Sequence, residues 1–106
     1  MSAEALIRAI NFLIFGEERK RLKIFKSKKG RVYVYYDVHG QTVAEAKRNI
    51  RNLVNIARRP MQLIIVHGYR NGHAIKDMIA KEDYRGKAVA VSCKGNKGET
   101  ILRVTP

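Results

Sequence analysis

This 106-residue chain has no tryptophan, two prolines and one cysteine. A lone Cys93 allows neither an internal disulfide nor a cysteine-based zinc site, in keeping with a reducing compartment, and its simplest role is that of a small buried strand residue. Acidic residues are also scarce: nine Asp and Glu face 22 Lys and Arg, a formal charge of +13. No run approaches the roughly 18 apolar residues that a membrane-crossing helix needs, because Arg8 and Asn11 interrupt the only candidate, so no membrane partner is expected. A secretory signal is not expected either, since Glu4 stands where its basic region should be, and the expected location is the cytoplasm. Missing too are a Walker-type loop and a dinucleotide fingerprint, which the spacing of Gly68-Tyr69-Arg70-Asn71-Gly72 does not match.

What the chain does contain is enough apolar material, 45% of residues, for one packed core. A charge of +13 on so small a body points to a polyanionic partner, with nucleic acid ahead of an anionic membrane. Residues 3–15 place Leu6, Ile7, Ile10, Leu13 and Ile14 on one helical face, with Gly16 as the expected C-cap. Phe12 and Phe15 fall outside that stripe: core packing of the helix alone is the commoner arrangement, and the alternative is a second contact with a mobile linker, a protein partner or a second copy in self-association. Eight basic residues crowd between Arg19 and Arg31, around an expected edge strand at residues 21–26. Ser27-Lys28-Lys29-Gly30 then reads as a hairpin turn into the aromatic and β-branched strand at residues 32–38.

Thr42-Val43-Ala44-Glu45 has the form of a capping box, and the apolar residues from Val43 to Ala57 follow a helical period up to Pro60. Met61 to Val66 is a short unbroken apolar run, typical of a strand buried on both faces. A second such helix is marked by Ala74, Ile75, Met78 and Ile79. Strands at residues 88–94 and 99–104 flank the turn-like Gly95-Asn96-Lys97-Gly98. Strand-helix-strand repeated twice predicts parallel neighbours joined by right-handed crossovers. The expected fold is a two-layer α/β sandwich on a mixed sheet, a βαβαββ core with an added N-terminal helix and strand.

Tyr36-Asp37-Val38-His39-Gly40 and Ile64-Ile65-Val66-His67-Gly68 both end a strand in His-Gly and lead into a helix. If the two strands are parallel, both turns share one sheet edge with two helix N-termini, whose free amides favour anions. Gly40, Gly68 and Gly72 permit tight turns and close approach of a ligand to the backbone. Taken singly, each histidine reads as a capping or hydrogen-bonding residue, and His73 as a helix cap. Two in equivalent places, with Asp37 two residues before His39, raise the alternative of acid-base chemistry on a phosphodiester. In that reading Asp37 orients His39, and His67 is the general base or acid. Asp37 is the only acid placed at this edge, so no dedicated metal cage is expected.

These motifs resemble those of the small MutS-related, or Smr, domain family, which read Leu-Asp-Leu-His-Gly, His-Gly-x-Gly-x-Gly and a late Gly-x-Thr followed by alternating apolar residues. Their counterparts are Tyr36-Asp37-Val38-His39-Gly40, His67-Gly68-Tyr69-Arg70-Asn71-Gly72 and Gly98-Glu99-Thr100, in the same order over about residues 36–104. Arg70 replaces a family glycine, where it either adds a phosphate contact or blocks close approach, and Glu99 replaces a small or apolar residue. The resemblance implies a fold similar to the C-terminal domain of bacterial translation initiation factor three. It also implies DNA or RNA binding, with structure-selective or nicking endonuclease activity in some members and none in others. A divalent cation such as Mg²⁺ is expected only in the nuclease case. The alternative is a non-catalytic binding or ribosome-associated module, with Gly40, Lys47, Arg51, Gly68, Tyr69, Arg70, Asn71, Gly72, Lys94 and Lys97 as nucleic-acid contacts. Tyr69 would stack on a base. Domain organisation follows the extent of the match: residues 1–35 form a basic N-terminal extension and residues 36–106 the Smr-like domain.

Overall fold

In the computed structural model, which describes residues 1–68, 73–92 and 98–106, the first helix α1 (Ala3–Leu13) opens on Ser2, whose Oγ accepts from the Ala5 N–H at 3.0 Å. Its apolar stripe sends Leu6 and Ile10 fully into the core. The helix stops at Leu13 rather than at Gly16. Ile14 turns extended and buries its side chain, and Gly16, at φ +65°, opens the 3-10 segment Gly16–Arg21 instead of capping α1.

Two strands, β1 (Leu22–Lys26) and β2 (Val32–Asp37), form the expected hairpin. Its turn closes by bonds from Gly30 N–H to the Ser27 carbonyl and from Arg31 N–H to the Ser27 hydroxyl. Helix α2 (Val43–Ile56) is capped by Thr42, whose Oγ1 accepts from Glu45 N–H at 3.1 Å; the reciprocal bond of a full capping box is not among those of the described residues. The other elements are β3 (Met61–Val66), α3 (His73–Lys81), β4 (Ala88–Ser92) and β5 (Glu99–Val104).

All five strands form one mixed sheet in the order β1-β2-β3-β5-β4. Only β2 and β3 are parallel neighbours; β5 lies between β3 and β4, antiparallel to both. The second crossover therefore skips a place, which corrects the expectation of two adjacent parallel pairs. The side chains explain it. On the face toward the helices β5 presents Leu102 and Val104, almost fully buried, while β4 presents the small Ala88 and Ala90 and, on its other face, leaves Val89 61% exposed. The bulkier strand takes the interior position and the lighter one the edge.

Helices α1, α2 and α3 pack side by side on one face, over Val34, Tyr36, Leu63, Ile65 and Leu102, to make a two-layer α/β sandwich. Residues 1–35 share this core through Leu6, Ile10, Leu22, Val32 and Val34, and the 35/36 boundary falls inside β2. No helix of the described residues is long and apolar enough to cross a membrane.

Tyr36 anchors α2 to the sheet. Its fully buried ring carries a hydroxyl that donates to Gln41 Oε1 at 3.1 Å and accepts from Asn49 Nδ2 at 2.7 Å. Burial pushes the phenol pKa up, against the opposing effect of those two bonds. Replacing Tyr36 by Phe takes the partner from Gln41 Oε1 and from Asn49 Nδ2, so urea unfolding should show a loss of about 1–2 kcal/mol. An unchanged midpoint would mean that the amides find other partners.

Candidate functional site

Strand β2 runs parallel to β3 with Asp37 opposite Val66, and the pairing continues through a bond from Val38 N–H to the Val66 carbonyl at 3.0 Å. His39 and His67 therefore leave the sheet at the same edge, each just ahead of a helix. The first turn closes between Gln41 N–H and the Val38 carbonyl at 3.0 Å, with Gly40 in its third position at φ +79°, as a type II turn requires. A Cβ on Gly40 would meet no atom within 4 Å, so the need for glycine is conformational rather than steric.

His39 and Asp37 form an exposed dyad. Asp37 Oδ1 lies 2.7 Å from His39 Nδ1 and also accepts the His39 backbone N–H at 3.0 Å. A carboxylate can only accept from it, so Nδ1 carries the proton and Nε2 is the free basic nitrogen. The imidazole side chain is 76% exposed and the carboxylate 41%. From β1's side, Arg21 Nη1 donates to the backbone carbonyls of Asp37 (3.1 Å) and His39 (2.9 Å), fixing the path of the chain beneath the dyad. Glu18 holds Arg21 at 3.6 Å and accepts from Gln41 Nε2 at 2.8 Å, which ties the 3-10 segment to the same turn.

Burial acts to raise the pKa of Asp37, but the hydrogen bonds from the His39 ring and backbone, together with the His39 and Arg21 charges, outweigh it and hold the carboxyl below its ordinary 3.8. A pKa lowered on folding means that the unfolded chain takes the proton first. The contribution of the dyad to stability is thus present above that ordinary value and lost as pH falls through the lowered one. At this exposure it is small, below about 1 kcal/mol. A His39→Ala variant should raise the titration midpoint of the Asp37 carboxyl carbon, followed by NMR; no upward movement would show that the ring is not what holds it down.

His67 has the same dipeptide context and a different environment. It is 3% exposed, with Nε2 2.9 Å from Thr100 Oγ1 and Nδ1 3.1 Å from the Gly68 carbonyl. A carbonyl only accepts, so Nδ1 donates and, in the neutral ring, Nε2 accepts the Thr100 hydroxyl proton. The backbone N–H groups of His67 and Gly68 both donate to the Gly98 carbonyl, at 2.9 and 3.0 Å. His67 therefore ties the end of β3 to the start of β5, and in this arrangement neither ring nitrogen has a free valence for a substrate.

Lys47 and Arg51 sit in the helical layer rather than at this edge. Both reach Glu82, at 3.4 and 3.1 Å, whose side chain is 9% exposed just beyond α3, so they clamp α2 to α3. His73 is the exposed first residue of α3. Tyr69, Arg70, Asn71, Gly72, Cys93, Lys94 and Lys97 lie outside the described residues. Arg21 was not foreseen as part of the site, although a signal for it exists. Counting back from the Ser27–Gly30 turn pairs Leu22 with Tyr36 and so brings Arg21 beside Asp37. Thr100 stood out only as part of a motif; its tie to His67 depends on β5 lying next to β3.

Among the described residues, no three His, Cys, Asp or Glu side chains converge as a metal site. Comparison with protein-family models, curated proteins and solved structures gives no significant match.

Proposed function

We propose that this protein is a nucleic-acid-binding domain of the Smr type, which takes phosphates of DNA or RNA at the edge formed by its two His-Gly turns. The observation that carries the reading is the parallel pairing of β2 with β3, which brings both turns and the approaches to α2 and α3 to one edge of a +13 chain. His39 supplies an exposed imidazole, Arg21 a rigid turn, and His67 and Thr100 the joint that keeps the edge in shape. Residues 69–72, 94 and 97 complete the contact set. In this reading the protein works in the cytoplasm, and exposed Phe12 on α1, with Phe15 just beyond the helix, leaves this surface open to a protein partner or a second copy.

The test is the salt dependence of binding to labelled structured DNA and RNA by fluorescence anisotropy. Four phosphate contacts should lower affinity about a hundred-fold between about 50 and 200 mM salt. A flat salt profile would end the phosphate reading.

A second reading, phosphodiester cleavage, is favoured by one feature: the Asp37–His39 dyad leaves His39 Nε2 free as a base. Structured DNA and RNA incubated with the protein, with Mg²⁺ and with EDTA, should then be cut, and Asp37→Asn and His39→Ala should each abolish cutting while the fold persists. Cleavage that survives in both variants would remove the dyad from the chemistry. Salt-sensitive binding without cleavage would leave a binding module.

A further inference from the structure

The face of the sheet turned away from the helices carries no covering element among the described residues, yet it is not a polar surface. Two rows cross it in register. One runs Phe25, Tyr33, Gln62, Arg103, Val89, and the other Lys23, Tyr35, Ile64, Ile101, Val91. Phe25 is 53% exposed and Tyr35 37%, and their rings meet edge to face at a centroid distance of 5.7 Å. With Lys23 and Tyr33 they line a shallow depression. Open aromatic surface of this kind is unusual on a chain with this much charge to spend on its exterior.

Cations frame it. Beside Tyr33, at the end of the sheet opposite the His-Gly turns, a cleft with a largely apolar floor that includes Pro60 and Met61 is walled by Arg31, Arg59 and Arg103, with no acidic side chain among its lining residues. Arg59 donates from Nη2 to the Gly30 carbonyl at 2.9 Å, while its buried Nε has no partner among the described residues. The acids of this face, Asp37 and Glu99, both lie at the other end, opposite Val66. Glu4, paired with Lys26 at this end of the sheet, offsets part of the Arg59 charge and leaves Arg31 and Arg103 as the more open cations. Aromatic rings beside a cleft walled by three arginines match one chemistry, unpaired bases linked by phosphates: rings stack on bases whatever their identity, and guanidinium groups take the phosphates. A duplex hides its base faces, and a second copy of this chain would bring another set of arginines against the first.

We infer that the open sheet face is a binding site for single-stranded nucleic acid, with bases stacked on Phe25, Tyr33 and Tyr35 and the phosphate chain led into the cleft of Arg31, Arg59 and Arg103. Three rings suit two or three bases. The site shares its class of partner with the reading above, but its arginine cleft lies at the far end of β2, about 20 Å from the His-Gly edge and the length of a six-residue strand, while Tyr35 stands two residues from Asp37 on the same face.

The experiment measures the affinity of the full chain for a labelled oligothymidylate, an oligouridylate and a labelled duplex, with a Phe25→Thr, Tyr35→Thr double variant that keeps β-branched residues in both strands. The double variant should lose about ten-fold or more in single-strand affinity and keep the parent's duplex affinity and melting temperature. Arg103→Gln, a second variant on the exposed face, should weaken single-strand binding and reduce its salt slope by about one. Photocrosslinks from 5-bromouridine should fall on Phe25, Tyr33 or Tyr35. Unchanged single-strand affinity in both variants, or crosslinks confined to the His-Gly edge, would overturn the inference. So would self-association that the double variant abolishes while single-strand binding is unaffected. Duplex binding without single-strand binding defeats this site alone, whereas a parent chain that binds neither defeats both readings.

Discussion

A Leu6→Ala, Ile10→Ala variant should be largely unfolded at physiological temperature. Both side chains are fully buried, one helical turn apart on α1, and each truncation removes transfer energy and leaves a cavity, at about 2–5 kcal/mol apiece. Neighbouring sites do not add cleanly, yet even about 5 kcal/mol consumes most of the stability of an ordinary domain. The thermal midpoint, read by circular dichroism, should fall by about 20 °C or more. Phe12→Ala and Phe15→Ala on the same segment, at 87% and 75% exposure, should each stay within about 0.5 kcal/mol of the parent. Were the buried pair as harmless as the exposed one, α1 would be a detachable appendage. The packing of α1 on α2 and the position of β1 in the sheet say that it is not, and that the basic segment at residues 19–31 is built onto the same body as the His-Gly edge.

What could be read from the chain followed the range of the interaction concerned. The 27–30 turn, the Thr42 cap and the apolar run of β3 depend on neighbours a few residues away, and each stands where local chemistry puts it. The place of β5 between β3 and β4 depends on which strand can fill the interior, a comparison between segments that no single window contains. Gly16 misled because a left-handed glycine serves a helix end and a following 3-10 turn equally well. The two histidines are the instructive case. They share a dipeptide and an edge, but side chains alternate along a strand: His39 follows Asp37 on the open face, whereas His67 follows Leu63 and Ile65 on the face that packs against the helices. The residue two places earlier therefore told them apart. The open aromatic face escaped notice for a related reason. Phe25, Tyr33 and Tyr35 look like ordinary strand formers until the helices are all found on the other side.

The separation of the two histidines leads to the second large effect expected. His67→Ala removes a buried ring, its bonds to Thr100 and Gly68, and part of the joint between β3 and β5, and should lower stability by about 3 kcal/mol. Thr100→Val leaves Nε2 buried with nothing to accept from, at about 1–3 kcal/mol. A His67→Leu, Thr100→Val chain replaces both polar partners by apolar groups, leaves no stranded acceptor, and should be more stable than the summed losses of His67→Leu and Thr100→Val made singly, with a coupling of about 1 kcal/mol or more in urea unfolding. Strictly additive losses would dissolve the pair. The double variant also separates structure from chemistry. If His67 acts as a strut, this chain keeps the nucleic-acid affinity proposed for its parent, because the edge is still joined. If His67 contributes through its basic nitrogen, the same chain stays folded and loses function. Since Nε2 already holds the Thr100 hydroxyl and Nδ1 the Gly68 carbonyl, retained affinity is the expected result, and of the two histidines only His39 then has a ring nitrogen open to a ligand.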